Sequence, residues 1–134
     1  MFTRVHHIGI AVSDLEQAAE DYRRSLDMEF SDVQEVQGGG VRLAFFPVGE
    51  SSIELVQPTD PNSGLARFLE KRGEGIHHIC LEVEDIHAAL EELQARGVVL
   101  IDKEPREGGE GLVAFLHPKG MHGVLIELIQ THAE

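Results

Sequence analysis

The sequence predicts an α+β protein made of two copies of one module. Residues 6–20 repeat as residues 77–91, with seven identities in fifteen aligned positions, including a His-His-Ile start and a later Val and Asp. A second segment, Ile-Glu-Leu-Val-Gln at 53–57, returns as Ile-Glu-Leu-Ile-Gln at 126–130. Such self-similarity identifies an internal duplication. Each copy also contains both strand-like and helix-like periodicity, which predicts the mixed fold class.

The duplication also predicts the domain organisation. In a chain of 134 residues, two halves of about 65 residues would each be marginal if they folded alone. We therefore expect one domain over 1–134. Its parts are module one at about 3–58, a connector at about 59–74 and module two at about 75–132.

The first module begins with a predicted strand over 5–12. Alternate residues of a strand share a face, so His7 lies with the small residues Gly9 and Ala11. Ser13 is the expected N-cap of the following helix, with Glu16 completing a capping box. Apolar residues at helical spacing carry that helix from Leu15 to Leu26, and two short strands follow at 41–46 and 52–56.

The second module repeats this plan after a connector that is rich in Pro, Gly and Asp and has a short helical pattern over 65–69. A strand at 76–83 precedes a helix at about 86–96, which Gly97 ends. The polar, glycine-rich segment 104–111 is predicted to be a loop. The remaining strands are expected at 98–101, 112–116 and 123–130.

Charge and composition exclude several classes of function. The formal net charge of −13 would repel a phosphate backbone, so we expect no nucleic-acid partner. No window approaches the roughly 18 apolar residues of a membrane span, and we expect no membrane partner. The start of the chain lacks the pattern of a secretory signal, and the single Cys80 has no partner for an intramolecular disulfide. We therefore expect a cytoplasmic protein.

Two glutamates lie where an apolar strand would bury them. Glu54 lies between Ile53 and Leu55, and Glu127 occupies the same place in the second copy. A buried carboxylate is costly unless it is paired or bound to a metal. Duplication alone would preserve core residues, but it gives no reason to retain a charged group at the same buried position twice.

The repeated histidines supply a second pair of ligand types. If the two copies pack as pseudo-symmetric modules, His7, His78 and the two glutamates converge, with His6 and His77 as supporting partners. Imidazole and carboxylate ligands suit Zn, Co, Mn, Ni or Fe(II). A lone His or Glu on a strand is more typical of an ordinary core or surface position. A purely structural metal domain also remains open.

Three segments carry a family resemblance: Gly-Glu-Gly-Ile-His-His-Ile at 73–79, His-Pro-Lys at 117–119 and Gly-Val-Leu-Ile-Glu-Leu at 123–128. They resemble the vicinal oxygen chelate superfamily and, within it, the methylmalonyl-CoA epimerase family, through nearly the whole chain. The resemblance implies two tandem βαβββ modules that form a cupped mixed sheet around a metal site. The metal ligands it implies are His7, Glu54, His78 and Glu127, the same four that the duplication selects, and some family members have Gln in place of Glu54.

The resemblance also implies an activity. We expect interconversion of the R and S forms of methylmalonyl-CoA, an isomerase reaction in which Glu127 removes the α-proton and a divalent ion (Co, Mn, Ni or Zn) stabilises the resulting enolate. The expected partner is an acyl-CoA, whose phosphates need cations, and a homodimer is expected. The candidate cations are Lys71, Arg72, Arg106 and Lys119.

One position departs from the family pattern. Several epimerases of the family have a Glu, proposed as one of two catalytic bases, where this chain has Leu43. Leucine cannot move a proton, so Glu127 works with another group, such as a water molecule, or the chemistry differs. A glyoxalase-type lyase, which isomerises a glutathione hemithioacetal, is the first alternative. A non-catalytic ligand-binding member of the superfamily is the second.

Overall fold

The computed structural model describes residues 1–29, 33–36 and 39–132. Its elements follow the order β-α-β-β-β, α, β-α-β-β-β, with a short 3₁₀ turn before the last strand. The α+β class and the two βαβββ modules are therefore confirmed. Among the described residues, no helix is both long enough and apolar enough to cross a bilayer.

The elements of the first module and the connector are β1 (Phe2–Ala11), α1 (Leu15–Leu26), β2 (Gln34–Val36), β3 (Val41–Val48), β4 (Ser51–Pro58) and α2 (Gly64–Arg72). Those of the second module are β5 (Gly75–Val83), α3 (Ile86–Ala95), β6 (Arg106–Glu107), β7 (Gly111–Leu116), the 3₁₀ turn (Pro118–Met121) and β8 (Leu125–Thr131). The two helices of the repeated module and the connector helix lie where periodicity predicts them.

Residue contacts divide the chain into two compact units. The N-terminal unit comprises residues 7–77, and the C-terminal unit comprises residues 1–6 and 78–134. Strand β1 contributes to both, because its first residues belong to the C-terminal unit.

In the N-terminal unit the hydrogen-bonded strand order is β2-β3-β4-β1, with β1 parallel to β4 and the other pairs antiparallel. One face packs against α1 around Leu15, Phe46 and Leu55. The other face carries a cluster of Ala11, Leu43, Val56 and Leu65, against which Phe45, Phe68 and Leu69 also pack. Helix α2 therefore packs on the face opposite to α1, because Leu65 belongs to it.

In the C-terminal unit the order is β1-β5-β8-β7-β6, with β5 parallel to β8. Helix α3 packs its apolar residues on one face, around Ile86, Leu90 and Leu128. A smaller cluster of Cys80, Val113 and Ile129 forms on the other face. In both units the last strand of the module pairs in parallel with the first strand and antiparallel with the strand before it, as the duplication predicts.

Three local predictions are wrong. Segment 98–101 forms no strand and makes only an isolated bridge between Leu100 and Leu116. The predicted loop at 104–111 contains the two-residue strand β6. The N-cap of α1 is Asp14 rather than Ser13: the Asp14 carboxylate accepts a hydrogen bond from the Gln17 backbone N–H. Glu16 closes no capping box, because it pairs with Arg42 instead.

Candidate metal centre

The N-terminal unit brings one predicted histidine and one predicted glutamate together. His7 lies on β1 and Glu54 on β4, and their Nε2 and Oε2 atoms are 3.6 Å apart. Both side chains are buried, with 5% and 9% of their surface exposed. The burial of His7, Gly9 and Ala11, against the partial exposure of Ile8 and Ile10, confirms that His7 shares the small-residue face.

The C-terminal unit repeats this pair. His78 on β5 and Glu127 on β8 lie with Nε2 and Oε1 3.2 Å apart, and their side chains are 8% and 12% exposed. The parallel pairing of β5 with β8 is the counterpart of that of β1 with β4. Each unit therefore places one imidazole against one carboxylate at the same position of the module.

The strand neighbours of the two glutamates also correspond. Glu54 lies between Gly9 of β1 and Phe45 of β3, and Glu127 lies between Cys80 of β5 and Phe115 of β7. An aromatic ring and a small residue thus flank each carboxylate, which keeps bulk water from it and makes an uncompensated charge there costly.

Burial and donor chemistry fit a metal ion. Neutral imidazole and carboxylate oxygen are ligands that Zn, Co, Mn and Ni accept in proteins. Within each unit, a histidine and a glutamate approach each other on one strand face, and His7 and Glu54 belong to a buried group of metal-ligand type. Two such pairs offer two nitrogen and two oxygen donors.

The structure also shows a role for the repeated glutamine that sequence reasoning missed. The side-chain oxygen of Gln57 accepts a hydrogen bond of 2.8 Å from the Leu15 N–H, and that of Gln130 accepts one of 2.8 Å from the Ile86 N–H. Each glutamine follows the candidate ligand on its strand by three residues and binds the first turn of the module's helix. Its recurrence in both Ile-Glu-Leu segments was the available signal.

Leu43 lies on the face that carries Glu54. Leu43 pairs with Val56 across β3 and β4, and Phe45 pairs with Glu54 across the same two strands. Residues two positions apart on a strand share a face, and directly paired residues point to the same side of the sheet. Leu43 is 8% exposed and packs with Ala11, Val56 and Leu65. This position is part of an apolar cluster.

The corresponding face of the C-terminal unit carries an ionic cluster. Arg4 and Thr131 both donate hydrogen bonds to the carboxylate of Glu82, at 2.8 Å for the Thr131 hydroxyl. Burial raises the pKa of Glu82, but the bonds from Arg4 and Thr131 and the nearby charges of Arg4 and His6 outweigh it and lower that pKa below the ordinary 4.5. Glu82 is therefore ionised at neutral pH.

The remaining candidates have the following surroundings. His6 is buried, with its Nε2 atom 3.8 Å from Glu110, and His77 lies edge-on to the ring of Phe68, with centres 4.9 Å apart.

Among the candidate cations, Arg72 lies over the same Phe68 ring and Arg106 over the ring of Phe115. Lys71 ends α2, and Lys119 lies in the 3₁₀ turn.

Comparison with known proteins places the chain in a family. The sequence model of the Glyoxalase/Bleomycin resistance protein/Dioxygenase superfamily matches residues 6–115. The chain belongs to this superfamily. The predicted resemblance is thereby confirmed, and the architecture of the two units is that of the superfamily.

Named relatives within the superfamily match the chain over its length. The Ethylmalonyl-CoA/methylmalonyl-CoA epimerase of Cereibacter sphaeroides is 46% identical over 134 residues, which cover 98% of this chain and 100% of the relative. A solved structure of a methylmalonyl-CoA epimerase in complex with methylmalonyl-CoA and NH4+ is 37% identical. It has a TM-score of 0.92, covering 99% of this chain and 97% of that one.

A further solved structure bears on the leucine. It is a variant of the Streptomyces coelicolor methylmalonyl-CoA epimerase in which a glutamate is replaced by leucine, in complex with 2-nitronate-propionyl-CoA. It is 38% identical to this chain with a TM-score of 0.92, covering 99% and 97% of the two chains. In that relative, a leucine introduced for a glutamate is compatible with binding of a CoA ligand.

Proposed function

We propose that this protein is an isomerase that interconverts the epimers of methylmalonyl-CoA, with His7, Glu54, His78 and Glu127 binding one divalent metal ion. The observation that carries the proposal is the buried histidine–glutamate pair that occurs in both units. The names of the relatives supply the substrate: those reported above are methylmalonyl-CoA epimerases. They give less support to a glutathione-dependent lyase.

The proposed ligands have distinct tasks. Bound by these side chains, a divalent cation would supply Lewis-acid stabilisation of the negative charge that develops on the thioester oxygen. His7 and His78 bind as neutral imidazoles, which requires each to keep its proton on the ring nitrogen that is not a ligand. Burial of both pairs excludes bulk water and strengthens the electrostatic interactions within the site.

Glu127 is the proposed catalytic base. The α-carbon lies between a thioester and a carboxylate, and its proton passes to a Glu127 carboxylate oxygen while the bonding electrons delocalise into the thioester. To invert the centre, a proton must return to the opposite face of that carbon. Leu43 cannot supply it, so we propose that one water molecule at the site does, and the hydroxide that this leaves takes the proton from Glu127, which restores both the water and the carboxylate.

Proton NMR of methylmalonyl-CoA in D₂O tests this function. Metal-loaded protein is expected to remove the α-proton signal and to convert one epimer into the other, and a sample treated with EDTA is expected to do neither. Loss of the signal without conversion would indicate enolisation without epimerisation. No exchange in a folded, metal-bound protein would contradict the proposal.

A pair of histidine variants separates the site from general effects. H78A removes a proposed ligand, so both metal content and α-proton exchange should fall. H132A is the control: His132 is 60% exposed and pairs with Glu107, so its loss should change neither. Equal behaviour of the two variants would remove His78 from the site.

We further propose that both units form one domain, because the proposed ligand set includes residues of each. We also propose that the protein is cytoplasmic and that it forms a homodimer. The buried, single Cys80 suits a reducing compartment. Exposed apolar residues at the start of β1, including Phe2 and Val5, support a second copy as partner. Sedimentation of the wild type and of V5D tests the dimer, and an unchanged monomeric mass in both would reject it.

A further inference from the structure

An arginine beside the candidate metal centre is held in place by two contacts. Arg106 lies on β6, with its Nη1 atom 3.4 Å from the Asp102 carboxylate and its guanidinium carbon 5.4 Å from the centre of the Phe115 ring. The other oxygen of Asp102 accepts a hydrogen bond of 2.8 Å from the Phe115 backbone N–H. Asp102, Arg106 and Phe115, here called the Arg106 stack, therefore brace one another.

The Arg106 stack lies on the strand face that carries Glu127. Arg106 pairs with Val113 across β6 and β7, and Phe115 pairs with Glu127 across β7 and β8. Because Val113 and Phe115 share a face, Arg106, Phe115 and Glu127 all project from the same side. The Phe115 ring also meets His78 edge-on, at 6.3 Å between centres and 84° between planes. One aromatic ring thus separates the guanidinium from the His78–Glu127 pair.

The other described arginines of the C-terminal unit are placed differently. Arg4 is bound to the buried carboxylate of Glu82. Arg96 pairs with Glu92 on α3, the helix that packs on the opposite face of the strands. Arg106 keeps 59% of its side chain exposed, so its guanidinium remains accessible on the face of the candidate ligands.

This placement suits recognition of an anion. A guanidinium that lies over an aromatic ring keeps its N–H edges available, and their forked geometry matches the oxygens of a carboxylate or a phosphate. The net charge of −13 opposes the approach of any anionic substrate. The exposed part of the Arg106 guanidinium still offers the anion a local hydrogen-bond donor beside the Asp102 pair, where the substrate must be held.

We infer that Arg106 binds an anionic oxygen group of the substrate at a point remote from the reacting carbon. Taking the substrate to be an acyl-CoA rests on the proposed function. The group is either the acyl carboxylate or a phosphate of the CoA carrier. The intervening Phe115 ring favours the phosphate, because the acyl carboxylate lies next to the reacting carbon. Asp102 and Phe115 position the guanidinium.

Steady-state kinetics of R106Q, with R96Q as matched control, test the inference. R106Q should raise KM for methylmalonyl-CoA about tenfold, the loss expected for one charge-assisted hydrogen bond of about 1.5 kcal/mol, with kcat within about twofold of wild type. R96Q should leave both constants unchanged. A second substrate, the methylmalonyl thioester of pantetheine, lacks phosphates and should show the same KM with wild type and R106Q.

The two substrates identify the bound group. A tenfold rise in KM for both would assign Arg106 to the acyl carboxylate, which keeps the anion-binding role and corrects its source. An unchanged KM for both would overturn the inference. If R106Q lowers the melting temperature, R106K takes its place: lysine keeps the charge without the fork, so an intermediate rise of about threefold is expected.

Binding of CoA itself separates this inference from the proposed function. Calorimetry needs no turnover, and R106Q should weaken the affinity for CoA about tenfold at low ionic strength, with a smaller effect in high salt. Wild-type protein that binds CoA through Arg106 but exchanges no α-proton would contradict the proposed reaction and retain the inference. Active protein whose CoA affinity is the same in R106Q would do the reverse.

Discussion

The two units present the same ligand pair on different backgrounds. In the N-terminal unit the face beside His7 and Glu54 continues into an apolar cluster around Leu43, against which α2 packs. In the C-terminal unit the face beside His78 and Glu127 continues into a small apolar cluster and then into the Glu82 ion cluster, with the Arg106 stack on the neighbouring strands.

The two copies share one set of structural features and differ in a set of charged residues. Both copies keep the histidine–glutamate pair, the aspartate N-cap and the glutamine that binds the helix start. Within the described part of the chain, the charged groups Arg4, Glu82 and Arg106 belong to the C-terminal unit and have no equivalent on the ligand face of the N-terminal unit. The shared features build the module and supply the proposed metal ligands, whereas the unshared ones give the two ligand faces different charge.

The largest expected difference between the units concerns the two glutamates. E127Q should lower kcat about 10³-fold, because an amide cannot accept the α-proton. E54Q should keep kcat within about tenfold, because an amide oxygen still coordinates a metal ion and Glu54 has no proposed role in proton transfer. Epimerisation assays of both variants at matched metal occupancy, measured by elemental analysis, give the comparison. Equal losses would mean that the carboxylates act alike and that Glu127 is not the distinct base.

The apolar clusters on the two ligand faces should differ in their contribution to stability. L43A should lower the free energy of unfolding by about 2–4 kcal/mol, since it empties a buried leucine site, and V113A by about 1–2 kcal/mol, since less apolar surface is lost. Urea denaturation measures both. The kcat of L43A should stay within a few-fold of wild type, because leucine transfers no proton; a loss comparable to that of E127Q would assign Leu43 a catalytic role.

The hydrogen bonds from the two helix starts to Gln57 and Gln130 should contribute equally to the free energy of unfolding. Q57A and Q130A each leave one backbone N–H at a helix start without its side-chain acceptor, so each should cost about 1–2 kcal/mol of unfolding free energy. Q17A serves as control, because Gln17 bonds Asp21 on the exposed side of α1 and should cost less than about 0.5 kcal/mol. A difference of more than twofold between Q57A and Q130A would show that the two modules are not equivalent at this contact.

The smallest expected effect is the pH dependence of the Glu82 cluster, which has no counterpart in the N-terminal unit at Ala11. Because folding lowers the Glu82 pKa, its contribution is fully present above the ordinary pKa of 4.5 and is lost as the pH falls through the folded value. E82Q should therefore be less stable than wild type by about 1 kcal/mol at pH 7, and the difference should shrink below pH 4.5.

Thermal unfolding of wild type and E82Q between neutral and acid pH measures that difference. E84Q is the charge-matched control, since Glu84 is exposed just beyond the end of β5. A stability difference between wild type and E82Q that stays constant with pH would mean that the folded and unfolded pKa values are equal.

The sequence alone predicted the structural features that correspond to a local or a repeated residue pattern. The duplication selected His7, Glu54, His78 and Glu127 without a structure, and the structure brings them together as one pair in each unit. Helical spacing located α1 and α3 closely, because their buried stripes recur every three or four residues. Convergence of the two pairs on one metal remains a prediction.

Only the tertiary structure decided the features that depend on distant partners. Ser13 and Asp14 are both good N-cap residues in a sequence; the fold directs the Ser13 N–H to the Glu74 carboxylate, 61 positions away, and leaves Asp14 to cap α1. Glu16 pairs with Arg42, and Arg106 lies over Phe115, for the same reason. These contacts join strands and helices whose register no local pattern encodes, because cross-strand neighbours are chosen when the whole sheet pairs.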